Sequence, residues 1–170
     1  MFKHKEFSCK LKARQCAAET QKGERCKRRT RKQLPYCYEH TRIILHVEIR
    51  PSTIEGAGLG LFAVEDFKKD DLIVPYEGEF IDEEELNRRY GDDTAKYALQ
   101  INKDLYIDSA CSRGTGAFIN QAQTKAKNNA RLSKFPGRRT IAPHASVRAI
   151  KSIKAGDEIF VDYGDEYIMD

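Results

Sequence analysis

From His46 onward the chain is a succession of short β-branched and aromatic runs, each cut off by glycine, proline or charged residues. The runs are "HVEI", "GLFAV", "LIVPYEGE", "YALQI", "LYIDS", "SVRAI" and "EIFVDYG". Runs this short read as strands bounded by turns. They predict a mainly β fold built of several small sheets rather than one large one. Two interruptions read differently. In "DEEELNRRY", Asp82 can cap a helix and Glu85 stands three residues on, as in a capping box. "GTGAFINQ" suggests a short turn. No internal repeat is visible. With 40% hydrophobic residues the chain can bury a core. No apolar stretch approaches the ~18 residues of a membrane span. "MFKHKEFSCK" has no apolar region of the secretory type, so a soluble intracellular protein is expected.

Charge and cysteine divide the chain near residue 45. Residues 1–50 hold 14 Lys and Arg against 5 Asp and Glu, and residues 51–170 hold 16 against 21. A basic arm of +9 is thus joined to a body of −5. Four of five cysteines, Cys9, Cys16, Cys26 and Cys37, lie in the arm, and only Cys111 lies in the body. Cys37 and His40 form a tight chelating pair, and Cys16 and Cys26 complete a Cys₃His set for tetrahedral zinc. Cys9 is a fifth candidate that can replace Cys16. About 45 residues bury little core, so a metal would supply the missing stability. Unmetallated cysteines on a disordered basic tail are the alternative. The spacing also resembles a small Cys₃His finger of viral and phage proteins. In "KGERCKRRTRK" seven of eleven residues are Lys or Arg, enough for DNA or nucleosome phosphate contacts. Few aromatics interleave them, so base-specific reading is not indicated.

Gly56, Gly58 and Gly60 alternate in "GAGLGLFA". A dinucleotide fingerprint requires a glycine where Leu61 stands, and a helix after it. Strand-like runs follow instead, which argues against that reading. Either a plain turn or a close backbone approach to a ligand remains.

Four segments occur in a telling order: "GAGLGLFA", "PYEGE", "GAFINQAQ" with "NNARL", and "IKAGDEIFVDYGD". Together they resemble the SET domain of protein lysine methyltransferases over about residues 46–166. The resemblance implies small curved sheets whose C-terminal segment threads a loop as a pseudoknot, with "AFIN" beside "VDYG". It implies S-adenosylmethionine on one face and a lysine entering from the other through a narrow aromatic channel. Gly58, Leu59 and Gly60 would cradle the donor with Asn120 and Gln121. Tyr163 would be the catalytic tyrosine, and Tyr97, Tyr106 and Val161 would line the channel. Tyr97 and Tyr106 read equally well as core aromatics.

Several features depart from that family. "NQA" stands where Asn-His-Ser is usual, and Asn128 or Asn129 would take the later asparagine place. After Tyr163 no cysteine-rich segment follows, so "DEYIMD" or a second subunit, as in a homodimer, would close the channel. Val161 replaces the usual Phe or Tyr, which implies room for di- or trimethylation. Substrate peptides of the family lie beside a segment here near residues 95–101. Asp82, Glu83, Glu84, Glu85, Asp92 and Asp93 stand close in sequence and would suit a basic histone tail. The resemblance implies histone-lysine methylation in a nucleus, the host's if the gene is viral. Two alternatives stand beside it. One is an inactive SET body serving as a chromatin or nucleic-acid binding module. The other is methylation of a non-histone protein.

Overall fold

The computed structural model describes residues 6–164. A helix α1 (Tyr38–Leu45) precedes ten short strands: β1 (Val47–Pro51), β2 (Leu59–Ala63), β3 (Leu72–Tyr76), β4 (Glu79–Ile81), β5 (Ala98–Asn102), β6 (Leu105–Asp108), β7 (Asn120–Gln121), β8 (Ala130–Phe135), β9 (His144–Ala149) and β10 (Phe160–Val161). A second helix, α2 (Glu83–Tyr90), lies between β4 and β5. The strands form three small sheets. β1 pairs with β2, the order β3-β9-β8-β10-β7 makes the largest, and β4-β6-β5 the third. Among the described residues no helix is long and apolar enough to cross a membrane.

Alternation sets which face is buried. In β9, Ala145, Val147 and Ala149 point inward while Ser146 and Arg148 are partly exposed. With Val47, Leu61, Val74, Ile153, Ile159 and Val161, Val147 and Ala149 form the main core. Leu99, Ile101, Ile107 and Ala145 form a second, smaller one. Each expected strand run carries a strand, although in the last only Phe160 and Val161 form one, with Glu158 adding an isolated bridge to Phe62.

Asp82 caps α2 as expected, accepting from the Glu85 N–H at 2.8 Å. The reciprocal half of a capping box is not made. The Glu85 carboxylate instead takes bonds from Arg88 and Arg89, all at 2.6 Å. Those two guanidiniums pull its pKa down to about 2. "GTGAFINQ" contains a single 3₁₀ turn at Thr115–Phe118.

Candidate active site and metal centre

The C-terminal segment runs beside the end of "AFIN", as the resemblance implied, and the pairing is parallel. Phe160 lies opposite Asn120 and Val161 opposite Gln121, while Val161 also pairs with Ala130 on the other side. Asn129 pins this segment. Its side chain donates to the Glu158 carbonyl at 2.9 Å and accepts from the Phe160 N–H at 2.8 Å. Asn128 instead accepts from the Ala122 N–H at 3.3 Å. Beyond β10 the backbone N–H of Tyr163 donates to Gln121 Oε1 at 3.2 Å, and its hydroxyl donates to the Ile119 carbonyl. The phenol is thereby fixed at both ends.

Tyr163 stands where two cavities meet. A cleft of about 590 Å³ is lined by Gly58, Leu59, Tyr97, Asn120, Gln121 and Tyr163, with Lys32, Lys96 and Arg113 at its wall. A narrower passage of about 50 Å³ is lined by Tyr76, Leu99, Leu132, Val161 and Tyr163. Lys96, Ala117, Ile119 and Tyr163 belong to both. Tyr76, inside "PYEGE", carries no signal of its own in the sequence. Its hydroxyl donates to the Tyr97 carbonyl at 2.9 Å, which turns the ring along the passage wall. Tyr106 lines neither cavity. It pairs across the β4-β6-β5 sheet with Ile81 and Gln100, and its hydroxyl accepts from Gln100 Nε2 at 3.2 Å.

In the arm, a ribbon turning at Gly23 brings two thiols together. Gln15 bridges Arg29 and Glu19 bridges Arg25, so Cys16 and Cys26 lie on adjacent strands. Gly23 sits at φ +75°, a left-handed turn that glycine adopts without strain. α1 begins immediately after Cys37, and its first turn swings His40 back over that residue. The donor atoms of Cys16, Cys26, Cys37 and His40 all lie within 4.8 Å of one another, and the three thiols are buried. His40 Nδ1 is 3.3 Å from Cys37 Sγ and 3.5 Å from Cys16 Sγ. A tetrahedral ion with Zn–S ~2.3 Å and Zn–N ~2.05 Å would separate such donors by ~3.6 Å, so the set could hold zinc once its wider pairs draw in slightly. Burial raises the Cys37 thiol, but the backbone and ring of His40 with the neighbouring thiols bring it down to about 7. Burial raises the Cys16 thiol. The alternative role for Cys9 is corrected: its sulfur is bonded to Cys111, 102 residues away, and is not free to act as a ligand.

The model of the SET domain family matches residues 58–164. The chain belongs to the SET domain family. Histone-lysine N-methyltransferase EZH2 of Chaetomium thermophilum is 30% identical over 138 residues, covering 71% of this chain and 8% of its own length. N-lysine methyltransferase KMT5A-B of Xenopus laevis is 30% identical over 126 residues, covering 66% of this chain and 34% of its own. Among solved structures, "ctPRC2 in an autoinhibited conformation bound to S-adenosylmethionine" superimposes with a TM-score of 0.61 at 29% identity, over 71% of this chain and 15% of that one. This chain therefore spans about a third or less of the length of these relatives.

Within the SET domain, one residue near the cleft was not anticipated. Glu158 is 5% exposed, yet its carboxylate is fully engaged. It accepts from Ser52 Oγ and the Thr53 N–H, both at 2.7 Å, from the Thr53 hydroxyl, and from Asn120 Nδ2 at 3.3 Å. Asn120 Nδ2 also donates to the Leu59 carbonyl at 3.0 Å. Glu158 thus ties the start of the loop between β1 and β2 to Asn120 of β7, and Asn120 ties its end at Leu59. Gly60 does not line the cleft. A Cβ there would come within 2.2 Å of Glu158 Oε1, so its missing side chain makes room for this carboxylate. Gly58, at φ +74° with open space around its Cα, is the glycine that faces the cleft.

Proposed function

We propose that this chain is an S-adenosylmethionine-dependent protein lysine N-methyltransferase acting on a lysine in a basic, histone-like tail. The observation that carries this reading is the position of Tyr163, on the wall shared by a 590 Å³ cleft and a 50 Å³ passage. The larger volume lies in the range of cofactor sites. Gly58, Leu59, Asn120 and Gln121 would hold the donor there. When bound, that donor supplies an electrophilic methyl group on a sulfonium. The smaller passage admits little more than an alkyl chain, so it would exclude water around an entering lysine. Desolvation in such a passage disfavours the ammonium and lowers its reference pKa of ~10.4, making the neutral amine available. Tyr163 would orient that amine. A tyrosine of ordinary pKa ~10 is a poor base near neutrality, so its work is positioning. Holding two reactants in line across one wall accounts for much of the acceleration.

β5 is an edge strand of the β4-β6-β5 sheet, which suits an extended substrate adding a further strand. Part of the acidic cluster is already engaged: Asp82 caps α2 and Glu85 pairs with two arginines. Glu83, Glu84 and Asp92 would face the basic tail. A zinc ion on Cys16, Cys26, Cys37 and His40 would hold the arm, and the arm's charge would favour a chromatin substrate in the nucleus. The substitution at Gln121 is compatible with activity, because its side chain accepts from the Tyr163 backbone.

The test combines calorimetry with S-adenosylmethionine and transfer of labelled methyl to core histones and to a whole-cell lysate. Tyr163→Phe is expected to keep donor affinity and to lose about 10²-fold in turnover, the scale of one oriented hydrogen bond at a reacting centre. Donor binding without transfer to any protein would favour the binding-module alternative. Label only on non-histone bands would move the substrate class.

A further inference from the structure

The wall of the cleft carries three cations, Lys32, Lys96 and Arg113, and neither an aspartate nor a glutamate. Two of the three are engaged. Lys96 Nζ pairs with Glu6 at 3.1 Å, and Arg113 donates to the Ser109 carbonyl at 3.3 Å while its guanidinium lies 3.8 Å from the centre of the Tyr97 ring. Lys32 is different. Its ammonium stands 5.8 Å from the centre of the Phe118 ring, and among the described residues no carboxylate pairs with it. Such a group retains three hydrogen-bond donors for a ligand.

Lys32 also comes from outside the SET domain. It lies between two candidate metal ligands, Cys26 and Cys37, and reaches the cleft from the arm. Its backbone is unusual. Lys32 at φ +44° and Gln33 at φ +65° are consecutive non-glycine residues in the left-handed region. Strain of this kind persists only where the surroundings enforce it, and it concentrates at ligand sites. Here the enforcement is visible. The Leu34 N–H donates to the Arg31 carbonyl at 2.9 Å, and Arg14 Nε donates to the Leu34 carbonyl at 3.0 Å.

We propose that Lys32 is a donor-binding residue, its ammonium pairing with the carboxylate of the amino-acid part of S-adenosylmethionine. This rests on the cleft being the donor site. A donor of that class carries a sulfonium, an ammonium and a carboxylate. A wall of three cations without an acid repels the first two and attracts only the third. The arm thereby completes the cofactor site, and the metal cluster sets the position of the residue that does so.

Calorimetry on the full, metal-replete chain separates the possibilities. S-adenosylhomocysteine retains the carboxylate, and 5′-methylthioadenosine lacks the whole amino-acid part. Lys32→Met is expected to weaken S-adenosylhomocysteine about tenfold or more, the size of one charge-assisted hydrogen bond. It should leave 5′-methylthioadenosine unchanged, and Lys32→Arg should restore most of the loss. Equal weakening of both ligands, or of neither, overturns the proposal while leaving the donor site in place. Wild-type protein that binds neither ligand overturns the donor-site reading itself, and the proposal with it. Matched thermal melts guard against a folding defect, and Lys32→Arg carries the comparison if Lys32→Met melts early.

Discussion

Val161 is the residue whose replacement has the plainest chemical consequence. It is 1% exposed, packs in the main core and lines the passage beside Tyr163. Where the family usually has a phenyl or phenol ring, this chain has a smaller side chain without a hydroxyl. On the proposed function, an amine that had taken one methyl would then have space to rotate and present its lone pair again. We expect di- or trimethyl-lysine to accumulate, read by mass spectrometry of a peptide product over time. Val161→Tyr should shift the products toward monomethyl-lysine. Overpacking a buried site costs about 1–3 kcal/mol, so a melt must accompany the variant. Monomethyl-lysine alone from the wild type, at saturating donor, would show that Tyr76 or Leu132 fills the space instead. At this scale the sequence singled out Tyr163, Asn120 and Gln121 through motifs whose order is informative, and all three line the cleft. Tyr76, Glu158 and Lys32 were not visible. Each acts through a neighbour at least 20 residues distant in sequence, and no local pattern encodes that proximity.

α2 shows how an element is tied into the site's supporting sheet. Arg89, near its C-terminus, is half of two ion pairs to the β4-β6-β5 sheet: to Glu79 at 2.9 Å and to Asp108 at 2.9 Å. Asp108 is fully buried and also accepts from the Tyr90 hydroxyl at 2.9 Å. Burial, with the bond to Asp108, raises the Tyr90 pKa well above its ordinary value and keeps the phenol a donor. Removing the cation alone strands a buried carboxylate. Arg89→Met is therefore expected to destabilise the fold by about 3–5 kcal/mol, measured by urea unfolding. A loss under about 1 kcal/mol would mean that Tyr90 and the Ala110 N–H satisfy Asp108 unaided. Seven strands and α2 were legible from short apolar runs and from an aspartate at a helix start, whereas β4 was not read as a strand of its own and β7 fell in a segment read as a turn. α1 was not, because "YEHTRIIL" holds three β-branched residues and follows directly on a metal ligand. β8 was noticed only as the motif "NNARL". Its strand character comes from pairing with β9 over six positions, Ala130↔Ala149 to Phe135↔His144.

For the whole molecule the question is how far the arm is a separate unit. The break in charge and cysteine content near residue 45 is real in the sequence, yet contacts cross it at several points. Cys9 is bonded to Cys111, the Phe7 and Tyr90 rings meet edge-on at 5.2 Å, and Tyr38 donates to Glu48 at 3.0 Å. Lys32 lines the cleft. The candidate metal ligands could be grouped from the sequence because Cys37 and His40 are close neighbours, and their donor atoms do come together. The Cys9–Cys111 link could not, since a separation of 102 residues carries no spacing signal. We expect purified protein to hold about one zinc per chain by elemental analysis, and Cys37→Ser to hold less. The body's core is built of β1–β3 and β8–β10, with Phe67, Ile119 and Ile153, and contains none of the candidate metal ligands. Loss of the metal should therefore leave the main cooperative melt in place while residues 16–40 exchange amide hydrogens faster. The same variant should bind S-adenosylhomocysteine more weakly, because the loop carrying Lys32 is strung between two ligands. Methylation of a free peptide and of a nucleosome should then both fall. The nucleosome should suffer an additional, salt-sensitive loss if the +9 arm also meets DNA. Loss of the entire melt on Cys37→Ser would instead make arm and body one folding unit. An unchanged affinity for S-adenosylhomocysteine would separate the metal from the cleft.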